Sequence, residues 1–250
     1  MKESRKWEDL NTDILIQVFE KVDTQTLITG IQFVCKLWFR ASSNPQCWKN
    51  LDFQSIPFFT HKSDVSNLIL STVFRSRTVN RVVFPRRFDS EALSYILEIC
   101  FPLKSLAFPV VPFSFMQEEG SRKIIRGAKN LEEIELGYCS TENFIEILRE
   151  VSLHCKYFVS LILSSDTDRC INKSEAAAIV DLVPKIKYLI LRRCRLSREN
   201  LILILGGCHQ LVKLDVRDCQ GFEAADKEIQ IKASGIETFM SQGSALKRRR

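Results

Sequence analysis

Nine cysteines and three histidines are the side chains of this chain with the chemistry to hold a soft metal or attack a substrate. Their spacing favours neither use. No two cysteines form a C-x-x-C pair, and His61, His154 and His209 show no ligand spacing. Six of the nine cysteines fall instead at two places in a recurring phrase. In LEEIELGYC (131–139), IKYLILRRC (186–194) and LVKLDVRDC (211–219) the cysteine is the ninth residue. Cys100, Cys155 and Cys208 each stand three residues before a phrase begins. Cysteine at fixed repeat positions suits a small, reduced, apolar side chain stacked in a core, with no metal. The chain also lacks a GxxxxGK loop, a GxSxG elbow and an HExxH pair. These features argue for a chain that binds rather than catalyses, and they imply no cofactor.

The phrase places apolar residues at positions one, four and six. It occurs at WKNLDF (48), VNRVVF (79), LKSLAF (103), LEEIEL (131), FVSLIL (158), IKYLIL (186) and LVKLDV (211), with starts 24 to 31 residues apart. Positions four and six share one face of a strand, because side chains alternate with period two. A helical pattern follows each phrase. SEALSYILEIC offers Ser90 as cap and Leu93, Ile96, Leu97 and Cys100 as one face. TENFIEILREV offers Thr141 as cap, and RLSRENLILIL offers Ser197 with a Leu196–Leu201 staple. Ile229 and Ala233 mark a last helix, and Ile236 with Phe239 gives a partial eighth phrase that suits a terminal cap. One strand and one helix per repeat is a leucine-rich-repeat unit. The register resembles the cysteine-containing subclass of these repeats, from residue 48 to about 240.

Positions two, three, five and seven are expected to face outward. The candidates for holding a partner there are Glu133 and Glu135, then Ile162, then Tyr188 and Arg192, then Asp215 and Arg217. Acidic, apolar and basic strips side by side suit a protein partner better than a phosphate chain. The net charge of +6 points the same way, since Lys247, Arg248, Arg249 and Arg250 supply four of it and nucleic acid is not implied. The basic stretch FRSRTVNRVVFPRR (74–87) reads as a solvated edge. The start shows no apolar signal region, and the longest apolar run, LILIL (201–205), is far too short for a membrane. Together with unpaired cysteines this implies a reducing compartment, the nucleus or cytoplasm. The basic tail 246–250 reads as solvated, with nuclear import as a second use.

Residues 1–47 differ from the rest. Asn11 or Thr12 caps a helix striped by Ile14, Leu15, Val18, Phe19 and Val22; Asp23 caps a second with Leu27 and Ile31; Val34, Cys35, Trp38 and Ala41 mark a third. Three short helices hold too little core to stand alone, so an apolar face is left for a neighbour. The order Leu10-Asn11, Asp13, Ile14-Leu15, Val18-Phe19, Leu27, Val34-Cys35-Lys36-Leu37-Trp38 and Trp48 resembles the F-box, with Asn11 where proline is usual. With repeats from 48 to 245 behind it, the chain resembles a plant F-box/leucine-rich-repeat protein.

That resemblance implies an α/β solenoid, a right-handed leucine-rich-repeat arc with parallel strands on the concave face and helices outside, preceded by a small all-α three-helix F-box. It implies a non-catalytic substrate receptor. The F-box docks a Skp-type adaptor through Leu10, Asn11, Ile14, Leu15, Phe19, Leu27, Val34, Cys35 and Trp38, a cullin ligase joins through the adaptor, and the repeats hold a protein substrate for ubiquitination. A repeat scaffold working outside a ligase, or a receptor gated by a small ligand, are the alternative readings.

Overall fold

The computed structural model describes residues 10–54, 67–69, 71–72, 78–86, 103–111, 115–117, 119–163 and 169–246. The helix expected at Ser90–Cys100, residues 74–77 and 87 of the basic stretch, and the tail 247–250 lie outside the described residues.

The amino-terminal part holds helices α1 (Thr12–Phe19), α2 (Thr24–Thr29) and α3 (Lys36–Ser42). Asn11 caps α1 by accepting from the Asp13 amide at 3.0 Å, so the residue standing where proline was expected still satisfies an orphan donor. Asp23 does the same for α2, accepting from Thr26 at 2.8 Å. The third helix departs from the expected pattern. Ile31–Phe33 form a single 3-10 turn, Val34 follows it, and Cys35 is the residue preceding α3. Val34 is therefore outside the helix and exposed.

A second 3-10 turn, Pro45–Trp48, leads into the sheet. Trp48 is buried and donates its indole N–H to Ser42 O at 2.6 Å, while Asp52 of the first strand donates its amide to the Thr24 hydroxyl at 2.8 Å. Residues 48–53 thus serve both the helical unit and the first repeat.

The strands are β1 (Asn50–Asp52), β2 (Arg81–Val83), β3 (Ser105–Val110), β4 (Glu133–Tyr138), β5 (Ser160–Leu163), β6 (Cys170–Ile171), β7 (Tyr188–Ile190), β8 (Arg195–Leu196), β9 (Lys213–Asp215) and β10 (Thr238–Met240). Eight of them form one parallel sheet in the order β1-β2-β3-β4-β5-β7-β9-β10. No strand is skipped except β6 and β8, which pair with each other. Position four of each phrase meets position four of the next: Leu51, Val82, Leu106, Ile134, Leu161, Leu189, Leu214 and Phe239 lie in one row. The first seven are buried and Phe239 is half-buried. Position six is also buried throughout, as Phe53, Phe84, Phe108, Leu136, Leu163, Leu191 and Val216. Position one is buried in six phrases and half-buried at Phe158. The partial eighth phrase forms the terminal strand β10.

Helices α4 (Glu119–Gly127), α5 (Thr141–His154), α6 (Lys173–Leu182), α7 (Arg198–Gly207) and α8 (Lys227–Lys232) pack side by side in chain order. Their caps repeat: Ser140, Asn172, Ser197 and Asp226 each accept from the third helical amide. The cap of α5 is thus Ser140, and Thr141 is the first helical residue. A parallel sheet with strands and helices each in sequential order is compatible with a solenoid.

The turns after β7, β9 and β10 repeat a backbone device. Arg193, Asp218 and Gly243, all at position eight, have positive φ of 59°, 59° and 80°. For a non-glycine residue this costs about 1–2 kcal/mol. It aims the next side chain inward. There Cys194 donates to Arg192 O at 3.6 Å and points toward Leu163 O at 4.0 Å, while Cys219 donates to Leu191 O at 2.8 Å and Ser244 to Val216 O at 2.6 Å. Position nine therefore supplies a donor to the position-six carbonyl of the preceding repeat. Cysteine serves because it is apolar enough to bury and still has a hydrogen to give. Burial pushes the thiols of Cys139, Cys155, Cys194 and Cys219 up to about 12, so they stay protonated, and the last three act as donors. Cys139 itself is half-buried.

A second ladder escaped the repeat pattern. β6 pairs with β8, and bridges Arg195–Gln220 and Gln220–Ala245 continue it. Beside it, Arg169 and Glu175 form a buried pair 3.4 Å apart, with Arg169 also donating to Gly137 O at 2.9 Å. Gly137 itself lies against the Pro109 backbone, where a Cβ would clash.

Cys219→Ser is expected to keep most of the stability, because a hydroxyl at position nine is already accepted at Ser244. Cys219→Val leaves the Leu191 carbonyl without that donor and should cost about 1–3 kcal/mol. Urea unfolding of the two variants measures the difference.

Candidate functional site

Two surfaces have the residue types to dock a protein. The first is helical. Of the residues expected there, Leu15, Phe19 and Leu27 are no more than 2% exposed in the free chain. They form the unit's own core with Ile16, Ile31, Ala41, Cys47 and Trp48. The reason is geometric. A stripe at i, i+3 and i+4 marks the side facing α3, and α1 packs against α3. Trp38 is half-buried, with its ring 5.2 Å from that of Phe19, edge to face. Leu10 and Cys35 are half-buried, and Asn11 is exposed but engaged as a cap.

The exposed apolar residues are Ile14 and Val18, one turn apart on α1, and Phe33, Val34 and Phe39. Phe33 is 76% and Val34 56% exposed, which is unusual for such side chains without a partner. Phe33 and Phe39 line a shallow depression of about 440 Å³ together with Gln32, Cys35, Lys36 and Arg40. Ile14 and Val34 were legible as candidates. Val18, Phe33 and Phe39 were not, since Val18 was counted into the core stripe and the two phenylalanines lie off any helical period.

The second surface is the sheet face opposite the core. Position three runs Asn50, Arg81, Ser105, Glu133, Ser160, Tyr188, Lys213, Thr238; position five runs Asp52, Val83, Ala107, Glu135, Ile162, Ile190, Asp215, Met240. The acidic strip is not free. Arg81 reaches two strands across to donate to Glu133 and Glu135, both at 2.7 Å, and to Ser105 at 2.6 Å. Ser105 and Ser160 donate to Glu133 in turn, at 2.9 and 3.0 Å. Ser105 and Ser160 are consequently buried, although their position had been expected to face outward.

Asp215 is likewise sealed rather than presented. It is 2% exposed, with Arg217 donating to both carboxylate oxygens at 2.9 and 2.7 Å and Arg192 at 3.9 Å. Burial raises its pKa, but the hydrogen bonds and charge of Arg217, helped by Arg192, outweigh that and hold it below 3.8. What remains open is the middle and carboxy-terminal part of the face: half-buried Ile162 and Ile190, exposed Tyr188, and Lys187 beside half-buried Lys213. The candidates Ile162, Tyr188, Arg192 and Arg217 are near this zone, while Glu133 and Glu135 belong to a separate, self-satisfied network. Among the described residues no three His, Cys, Asp or Glu gather as a metal site, and no helix is long and apolar enough to cross a membrane.

Residues 7–54 match the F-box-like family model. Across most of its length the chain is similar to F-box proteins of Arabidopsis thaliana. It is 26% identical to F-box protein FBW2, over 90% of this chain and 72% of that protein. It is 27% identical to an F-box/LRR-repeat protein, over 98% and 83% of the two chains, and 25% identical to F-box protein SKIP1, over 88% and 81%. The chain thus carries an F-box-like domain followed by a region shared with plant F-box/leucine-rich-repeat proteins.

Arg81→Gln should destabilise the protein by roughly 1–3 kcal/mol, since it leaves two carboxylates facing each other without a cation. Adding Glu135→Gln in that background should recover part of the loss, a coupling that a double-mutant cycle in urea reads directly. At Asp215 the depressed pKa stabilises the fold above about pH 3.8, and that contribution is lost as pH falls through the folded value. The destabilisation caused by Asp215→Asn is therefore expected to be large near neutrality and to shrink on acidification, as thermal melts across pH will record.

Proposed function

We propose that this chain is the substrate-recognition subunit of a Skp–cullin–F-box ubiquitin ligase. F-box proteins are in general the substrate adaptors of such ligases, and the F-box-like match over residues 7–54 carries the reading. The adaptor docks on the exposed apolar residues Ile14, Val18, Phe33, Val34 and Phe39, with Leu15, Phe19 and Leu27 shaping that surface from behind. Burying a Val or Phe side chain is worth about 1.5–3 kcal/mol, so five such anchors suffice for a specific contact. The cullin joins through the adaptor.

The repeats form a right-handed arc whose sheet face is concave, and the open zone around Tyr188 grips a protein substrate. The chain contributes no covalent chemistry. It contributes proximity, holding the substrate at high effective concentration beside a ubiquitin-charged subunit. The F-box spans residues 1–47 and the repeat domain residues 48–245, and the complex works in the nucleus or cytoplasm.

The burial pattern separates two kinds of variant. Phe33→Asp and Val34→Asp should each weaken capture of a Skp adaptor by about tenfold or more while the circular dichroism spectrum and melting temperature stay near wild type. Leu15→Asp should abolish capture by unfolding the helical unit. Full capture by the Phe33→Asp, Val34→Asp double variant would remove this surface as the docking site, and failure of the wild-type chain to bind any Skp adaptor would favour a scaffold outside a ligase.

A further inference from the structure

A cavity of about 520 Å³ opens on the rim of the repeats, where α5 and α6 end and β5 and β7 begin. Its apolar lining includes Val151, Phe158, Leu182 and Pro184, and its rim carries Lys156, Lys185 and Lys187. Asp181 is the single carboxylate of the lining. None of the three lysines forms an ion pair among the described residues, in contrast to Lys49 and Lys104, which pair with Glu20 and Glu132.

Two helix C-termini end here and favour cations nearby, which accounts for part of this charge. It does not account for the open apolar lining of Phe158, Leu182 and Pro184 between the lysines, above fully buried Val151. The cavity is also continuous with the open sheet face. Val159 and Lys187 line it, and each precedes the first residue of its strand, Ser160 and Tyr188; the Lys187 amide donates to Val159 O at 2.9 Å.

We propose that this rim cavity seats an acidic segment of a protein substrate, with one bulky apolar side chain in the cavity and flanking carboxylates on Lys156, Lys185 and Lys187. The inference rests on the substrate-receptor reading and adds the chemistry of the substrate. Three unpaired cations around an apolar floor complement an anionic, amphipathic peptide and repel a basic one. From the cavity such a segment continues onto Ile162, Tyr188 and Ile190, where Lys213 meets a further carboxylate.

Fluorescence anisotropy with the 250-residue chain tests this. The probes are a labelled peptide of alternating Asp and Glu with one central Phe, the same peptide with Gly for Phe, and a peptide with Lys at every acidic position. The Phe-bearing acidic peptide should bind best, and more weakly as salt is raised. Lys185→Glu with Lys187→Glu should weaken it by about tenfold or more, while capture of a Skp adaptor, read on the same samples, stays unchanged. Equal binding of the acidic and basic peptides, equal binding by the double variant, or no binding of the acidic peptide overturns the proposal. Intact adaptor capture in those cases leaves the receptor reading standing, and its loss in the wild-type chain would count against that reading alone.

Discussion

Eight apolar side chains, one from each strand of the eight-stranded sheet at position four of its phrase, hold the repeats in a common register from Leu51 to Phe239. Each buried one contributes about 1.5–3 kcal/mol. The larger consequence is directional. Strand side chains alternate, so placing position four inside forces positions three and five onto the opposite face, and a slip of one residue would exchange the two sets. The location of Tyr188, Ile162 and the Arg81 network therefore follows from where the leucines sit. The position-nine donors reinforce this register, because Cys219 and Ser244 reach a specific carbonyl of the preceding repeat.

Much of this was legible from spacing alone, since the phrase repeats often enough for its apolar positions to reveal a common interior. Cys155, Cys194, Cys208 and Cys219 are buried as the register implied, although the role of Cys194 and Cys219 as donors needs the distance to a neighbouring repeat. Three things were hidden for physical reasons. The small β6–β8 ladder uses two-residue strands with no period of their own. Ser140 rather than Thr141 caps α5, a one-residue ambiguity that two adjacent hydroxyl residues cannot resolve. Which charges on the open face are free depends on long side chains crossing strands: Arg81 spans from β2 to β4, so the acidic strip is internally neutralised. Asp215 disappears beneath Arg217, two residues on in the same chain segment, with Arg192 of the neighbouring repeat 3.9 Å away.

The helical unit teaches a complementary lesson. A stripe of Leu15, Phe19 and Leu27 says where the core lies, and only by exclusion where a partner could sit. The exposed apolar patch comes largely from residues off that core stripe: Phe33 and Val34 on and just after the 3-10 turn, and Phe39 on α3. Trp48 and Asp52 then tie the unit to the first strand, so the exposed apolar patch and the sheet face are held on one continuous piece of structure.

The ladder can be examined without any partner, by amide hydrogen exchange on the chain alone. The in-register account predicts that amides of β3, β4, β5, β7 and β9 exchange most slowly of all and lose protection together as denaturant is added, while the turn at Ile31–Phe33 exchanges early. Strand amides exchanging as fast as that turn would contradict the shared register, and with it the assignment of every outward-facing residue.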